Sequence, residues 1–195
     1  MKRLMHAAVV ALALPLGACA WFSAGPEDAP AAAVDAEQAQ ACADRSCRGK
    51  TVVKLQLASG ELLQRQFDWF NPVIQDNSIS ILAGEELFIE ADEQDGRLVN
   101  LKQVPENAHP EKTLVFKFWQ DPGHVDMTLA VSNPFSRPLK YRLSLMDTQS
   151  SELKPVSSCS VLGGGAAYEY WPKPIVQLLV VEPVLLPASA PHTCE

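Results

Sequence analysis

The side chains best suited by type to do chemistry in this 195-residue chain are its cysteines. Cys42 and Cys47 fall before the apolar-rich region and Cys159 and Cys194 towards its end, while Cys19 stands apart. Thiols can close disulfides, bind a metal as thiolates, or act as nucleophiles. Zinc would ask for tight Cys-x2-Cys pairs or neighbouring histidines, and of His109, His124 and His192 only His192 lies near a cysteine, Cys194. A catalytic thiol would need a base that the spacing does not supply. An even set of four in an oxidising compartment reads instead as disulfides, with three possible pairings. Strand parity favours one of them. The inward set Val53, Leu55 and Leu57, extended backwards, reaches Cys47, and the odd set around Val161 contains Cys159. A Cys47 to Cys159 bridge would close a loop of more than a hundred residues, for which chain entropy gives up to about 4.7 kcal/mol. Cys42 and Cys194 would then join the two ends. The local alternative pairs Cys42 with Cys47 and Cys159 with Cys194.

The second group with chemical potential is aromatic. GGGAAYEYWPKP, Gly163 to Pro174, has three glycines and two prolines, which predict a long shaped loop between the last two strands. Tyr168, Tyr170 and Trp171 with Glu169 are its candidate binding residues, since rings with a polar tip suit interfaces and sugar platforms. The alternative is that Trp171 folds back to cap the core. Trp69 and Phe70 in FDWFNPV are adjacent and point to opposite faces of an extended segment, which leaves room for one of them to be exposed, with core packing the preferred reading. The acidic group Glu90, Asp92, Glu93 and Asp95 lacks the ligand spacing of a calcium loop and reads as a solvated hairpin end. No Gly-x-Ser-x-Gly, His-Glu-x-x-His or phosphate loop is present. His109, His124 and Asp126 could only act together if they met at one pole. The expectation is no catalytic residue, no metal and no cofactor.

Cys19 has a different explanation. It follows a basic start, Lys2 and Arg3, and a ten-residue apolar core, Ala7 to Leu16. A membrane span needs about twenty apolar residues, so this segment has the length and flanks of a secretory signal. IVQLLVVEPVLLP, Ile175 to Pro187, is interrupted by Glu182 and Pro183 and reads as strand. Leu16-Gly17-Ala18-Cys19 resembles the lipobox of bacterial lipoproteins at all four positions. The resemblance implies cleavage before Cys19, a diacylglycerol thioether on its sulfur and usually an acylated amine, which together give stable membrane anchoring. Ala20 stands where enteric inner-membrane lipoproteins carry a retention Asp, which implies the outer membrane. The competing reading takes Ala18-Cys19-Ala20 as an ordinary cleavage site that releases a soluble periplasmic or secreted protein beginning at Trp21.

Without residues 1–18, which hold two basic and no acidic side chains, 14 basic residues face 23 acidic ones, a net charge of −9. That balance argues against nucleic acid as a partner and against a basic membrane-binding face. Residues 19–49 are rich in Ala, Pro and acidic side chains and read as a flexible tether. Its twenty or so residues before Cys42 would reach roughly 25 Å.

From Thr51 onwards the texture is that of an all-β domain, expected over residues 50–187 with a tail at 188–195. TVVKLQLA alternates, and KTLVFKFW sets Leu114, Phe116 and Phe118 against Lys112, Lys117 and Gln120, though Val115 and Trp119 leave its second face partly apolar. ELFIEA and RLVNLKQV flank an Asp95-Gly96 hairpin turn. DMTLAVS and LKYRLSLM lie around a turn pinned by Pro134 and Pro138, and PVSSCSVL and IVQLLVVEPVLL supply the last strands. Eight to ten strands with frequent turns indicate one sandwich or barrel. VSNPFSRPLKYRLSL and ILAGEELFIEA resemble the hairpins and Gly-Glu corner of bacterial immunoglobulin-like modules. That resemblance implies a sandwich and no particular role. The expectation is therefore an envelope lipoprotein displaying a noncatalytic interaction module, with an envelope protein or glycan as partner. A carbohydrate binder using residues 163–174 is the second reading, and an enzyme the third.

Overall fold

Burial alternates along the strands as a half-buried sheet requires, with Leu114, Phe116 and Phe118 fully buried and Lys117 exposed between them. The computed structural model describes residues 47–68 and 70–195. Cys19, Cys42, Trp69, the signal segment and most of the tether lie outside the described residues.

The described chain is all-β and antiparallel. Its strands are β1 (Cys47–Arg48), β2 (Thr51–Gln56), β3 (Leu62–Phe67), β4 (Phe70–Pro72), β5 (Ile74–Gln75), β6 (Ser78–Leu82) and β7 (Glu86–Gln94). They continue with β8 (Arg97–Val104), β9 (Thr113–Gln120), β10 (Met127–Ser132), β11 (Leu139–Asp147), β12 (Lys154–Val156), β13 (Ala166–Trp171) and β14 (Ile175–Leu185). The main ladder has two portions, β12-β11-β14-β6-β5 and β8-β7-β9-β10-β13, joined where Val184 of β14 meets Arg97 of β8. Their inward residues form one apolar cluster that includes Ile79, Ile89, Phe116, Leu129, Tyr141, Leu145 and Leu178, giving a sandwich-like arrangement.

Local chemistry explains the turns. Asp95 and Gly96 both take positive φ, 52° and 81°, and close β7 onto β8 as a two-residue hairpin. The prolines at 134 and 138 do something else. β10 pairs with β9 and β13, and β11 with β12 and β14, so NPFSRP carries the chain from one portion to the other instead of closing a hairpin.

The outer face of the β14 portion is also covered. Ser80 and Gln177 lie on the strand face opposite Ile79 and Ile81 by register, together with Leu82, and all three are buried. Arg48 lies over them, with its guanidinium bonded to both carboxylate oxygens of Glu85, to the Asn71 carbonyl and to the Ser80 carbonyl. It stacks 5.5 Å from the Phe70 ring, which in turn meets Phe67 edge-on. The β2–β3 hairpin buries Val53 and Leu55. It is clamped by reciprocal bonds between the Gln56 backbone and the Gln120 amide, and by Arg65 donating to the Thr148 carbonyl.

The cysteine expectation is corrected. Cys159 is bonded to Cys194, with their Cα atoms 3.9 Å apart, which excludes both the Cys47 to Cys159 bridge and a Cys42 to Cys194 one. PVSSCSVL is not a continuous strand. After β12 it makes isolated bridges, Cys159 with Cys194 and Val161 with Leu139. The backbone of Ser158 pairs with Glu195, and Ser160 donates to the Thr193 carbonyl, so residues 193–195 are stitched to the domain. Parity arguments fail here because the tail, which has no strand pattern, supplies the neighbouring backbone.

Two carboxylates tie loop ends together. Asp147 accepts from the Gln149 backbone amide and the Lys173 ammonium, and Glu90 from His109 and Lys112. The Gln149 amide, then Lys173, hold Asp147 below its ordinary 3.8, and the His109 bond, then Lys112, hold Glu90 below 4.5. A lowered folded-state pKa contributes stability above the unfolded value that is lost as pH falls through the folded one. Urea midpoints should therefore stay level at neutral pH and drop below those ordinary values. Asp147→Asn should shallow the acid drop, and an unchanged acid slope would count against these contacts.

Candidate binding surface

The segment expected as a loop is largely strand β13, paired with β10 from Ala166↔Ser132 to Trp171↔Met127. Three glycines before it and prolines after it confine the strand, while the residues between keep a period of two. That period separates the four candidate residues. Tyr168 and Tyr170 face solvent, 58% and 67% exposed, whereas Glu169 and Trp171 are turned to the core side. Trp171 meets Phe118 edge-on at 6.3 Å and caps the core. Glu169 accepts a hydrogen bond from the Cys159 backbone amide. Burial pushes the Tyr141 phenol up, and the Glu169 charge adds to that effect. Trp171 takes the core-capping place that was its alternative reading, and Glu169 shares its side of the strand, apart from the two tyrosines.

The outer face brings the tyrosines another partner. Across the ladder, Tyr170 stands opposite Thr128, and Thr128 opposite Trp119; Tyr168 stands opposite Ala130, and Ala130 opposite Lys117. Thr128 is only 2% exposed although it is on the outer face, because the large side chains on either side enclose it. The Asp121 carboxylate accepts from the Trp119 indole at 2.8 Å and from the Thr128 hydroxyl at 3.3 Å, which fixes the indole. The Lys117 ammonium lies 5.8 Å from the Trp119 ring. The result is a shallow trough with a floor of small residues on β10 and aromatic walls on β9 and β13. At its Trp119 end the trough meets a cleft of about 350 Å³ lined by Lys54, Gln56, Leu62 and Asp121.

Asn133 positions β13. Its buried amide nitrogen donates to the carbonyls of Arg137, Val161 and Leu162, its side-chain oxygen accepts from the Phe135 amide, and its backbone N–H donates to the Gly165 carbonyl. One residue, through its side chain and its backbone together, therefore ties the β10–β11 crossing to the start of the tyrosine strand. In the sequence, the apolar second face of KTLVFKFW was the available signal for Trp119. Its row with Tyr170 depends on strand order, which alternation does not encode.

The histidines and the acidic group take separate places. His109 precedes β9 and His124 follows it, so the two lie at opposite ends of an eight-residue strand and do not share a pole. Glu93 pairs with Arg137 and Asp92 with Asn100, as befits a solvated hairpin end. Among the described residues no group of three or more His, Cys, Asp or Glu side chains is placed to hold a metal ion. No family model, curated protein or solved structure matches this chain.

Proposed function

We propose that the protein is a bacterial envelope lipoprotein whose domain is a noncatalytic interaction module, held at the periplasmic side of the outer membrane by lipid on Cys19. The anchor rests on Leu16-Gly17-Ala18-Cys19 after a short apolar core. The observation that carries the interaction reading is the exposure of Tyr168 and Tyr170 on the sheet face that also holds Trp119. Large rings left mostly in water gain less for folding than buried ones, whereas rings of this kind dominate binding energy when a partner covers them.

The test is made in intact envelopes, with a photoreactive phenylalanine analogue in place of Tyr168 of the full chain. A discrete adduct is expected, with palmitate label on the membrane-bound protein and none on a Cys19→Ser variant. A smear of adducts tracking abundance would remove the interaction reading. A mature unlabelled protein beginning at Trp21 would replace the anchor with ordinary secretion.

A further inference from the structure

Resting on that reading, we propose that the ligand of this face is a neutral, β-1,4-linked glycan lying across β13, β10 and β9. One sugar would stack on Tyr170, one on Trp119, and the chain would continue into the cleft beside Leu62.

The first support is the direction of the row. Tyr170, Thr128 and Trp119 are direct cross-strand neighbours, so the row runs perpendicular to the strands. Tyr170 and Trp119 are two ladder spacings apart, roughly 9.6 Å, a separation suited to two stacked pyranoses of one chain. The floor between them is Thr128, with Ala130 between Tyr168 and Lys117 in the next row, and both are small enough for a flat ligand to pass. A β-1,4-linked chain is a straight ribbon that presents ring faces in a line, whereas an α-1,4-linked chain coils away from such a row.

The second support is chemical. A pyranose has an apolar C–H face and a hydroxyl rim. The trough offers both, with the Tyr170 and Trp119 rings for the former, the Lys117 ammonium lying over one face of the indole, and Lys54, Gln56 and Asp121 beside the cleft for the latter. Charge selects the neutral class. Lys54 and Lys117 are balanced by Asp121 and by Glu86, the cross-strand neighbour of Lys117, so neither a polyanion nor a polycation finds a field of opposite sign. A peptide would favour other features, either an enclosed apolar pocket for an anchor side chain or a strand edge for backbone pairing. The aromatic row runs across the face of the sheet, at right angles to the outer edge of β13 that a pairing strand would use; among the described strands β13 pairs with β10 alone.

The probes are cellohexaose and chitohexaose, titrated calorimetrically into the full chain, with maltohexaose as the α-linked comparison. Saturable binding of at least one β-1,4 hexamer is expected, and none of maltohexaose. Tyr170→Ala and Trp119→Phe should each weaken binding about threefold to tenfold. Tyr170 is mostly exposed, so its variant should fold, and its far-ultraviolet circular dichroism checks that it does. Failure of both β-linked hexamers to bind, equal binding of maltohexaose, or binding unaffected by either substitution would overturn the inference. The two readings separate cleanly. If the hexamers fail while the position-168 probe still captures a discrete protein, the glycan falls and the interaction module stands. If the discrete adduct is also absent, both fall.

Discussion

Arg48→Met is expected to lower the free energy of unfolding by about 3–5 kcal/mol, the usual cost of breaking a buried ion pair from one side. The Arg48 side chain is 6% exposed and that of Glu85 22%. Without the guanidinium, the Asn71 and Ser80 carbonyls lose their donor, and Glu85 keeps only the Leu82 amide at 2.7 Å. Methionine fills most of the volume, so the loss would report charge and hydrogen bonding more than a cavity. Urea unfolding measures it. The double variant Arg48→Met with Glu85→Leu should recover a substantial part of the loss, because the remaining charge is also removed. A single-variant loss below about 1 kcal/mol would mean that the pair behaves as a surface bridge and that β1 and β4 do not seal the outer face of the β14 portion.

Gly163→Ala is expected to have the largest effect among the glycines of the domain. A Cβ there would lie 2.3 Å from the Ser136 carbonyl oxygen and 2.9 Å from the Arg137 nitrogen, both backbone atoms. No side chain can rotate away to relieve this, so the crossing between β10 and β11 must move, taking with it the carbonyls that Asn133 gathers. Overpacking of this kind costs about 1–3 kcal/mol or more. Because the same contacts set the start of β13, hexasaccharide binding should weaken even where the variant remains folded. Gly164, with φ +66° and open space around it, should cost only the left-handed backbone strain, about 1–2 kcal/mol. Gly49→Ala meets nothing within 4 Å and should be close to neutral. Equal effects at 49 and 163 would show that the crossing is not held as described.

What the sequence made legible was local. Alternation in TVVKLQLA and KTLVFKFW marks which residues go inwards, and Asp95-Gly96 marks a hairpin, because side-chain parity and positive φ are properties of neighbouring residues. What it left hidden was long-range. VSNPFSRPLKYRLSL has the composition of a hairpin, yet its two strands pair elsewhere, since strand partners are chosen by the whole core. Glycines and prolines around AAYEYW suggested a loop. They bound a strand instead, and the strand's parity sends Trp171 inwards and Tyr170 outwards. Trp119 became part of the surface only when β10 placed Thr128 between it and Tyr170.

β14 sits between β11 on one side and β6 and β8 on the other, and Leu179 pairs with Ser80, about a hundred residues earlier. Such distant pairing is slow to nucleate, in the range of milliseconds to seconds. During synthesis, the stretch from Leu82 to Ile175 takes roughly 5–20 s to appear at ordinary elongation rates. For that interval β6 exposes an unpaired edge, joined by β11 once it has emerged, and half of the core has no opposite wall. An edge left open in this way is a template for mispairing. The domain's two portions can close on one another only once that last long strand has emerged, so β14 is the element that completes the fold.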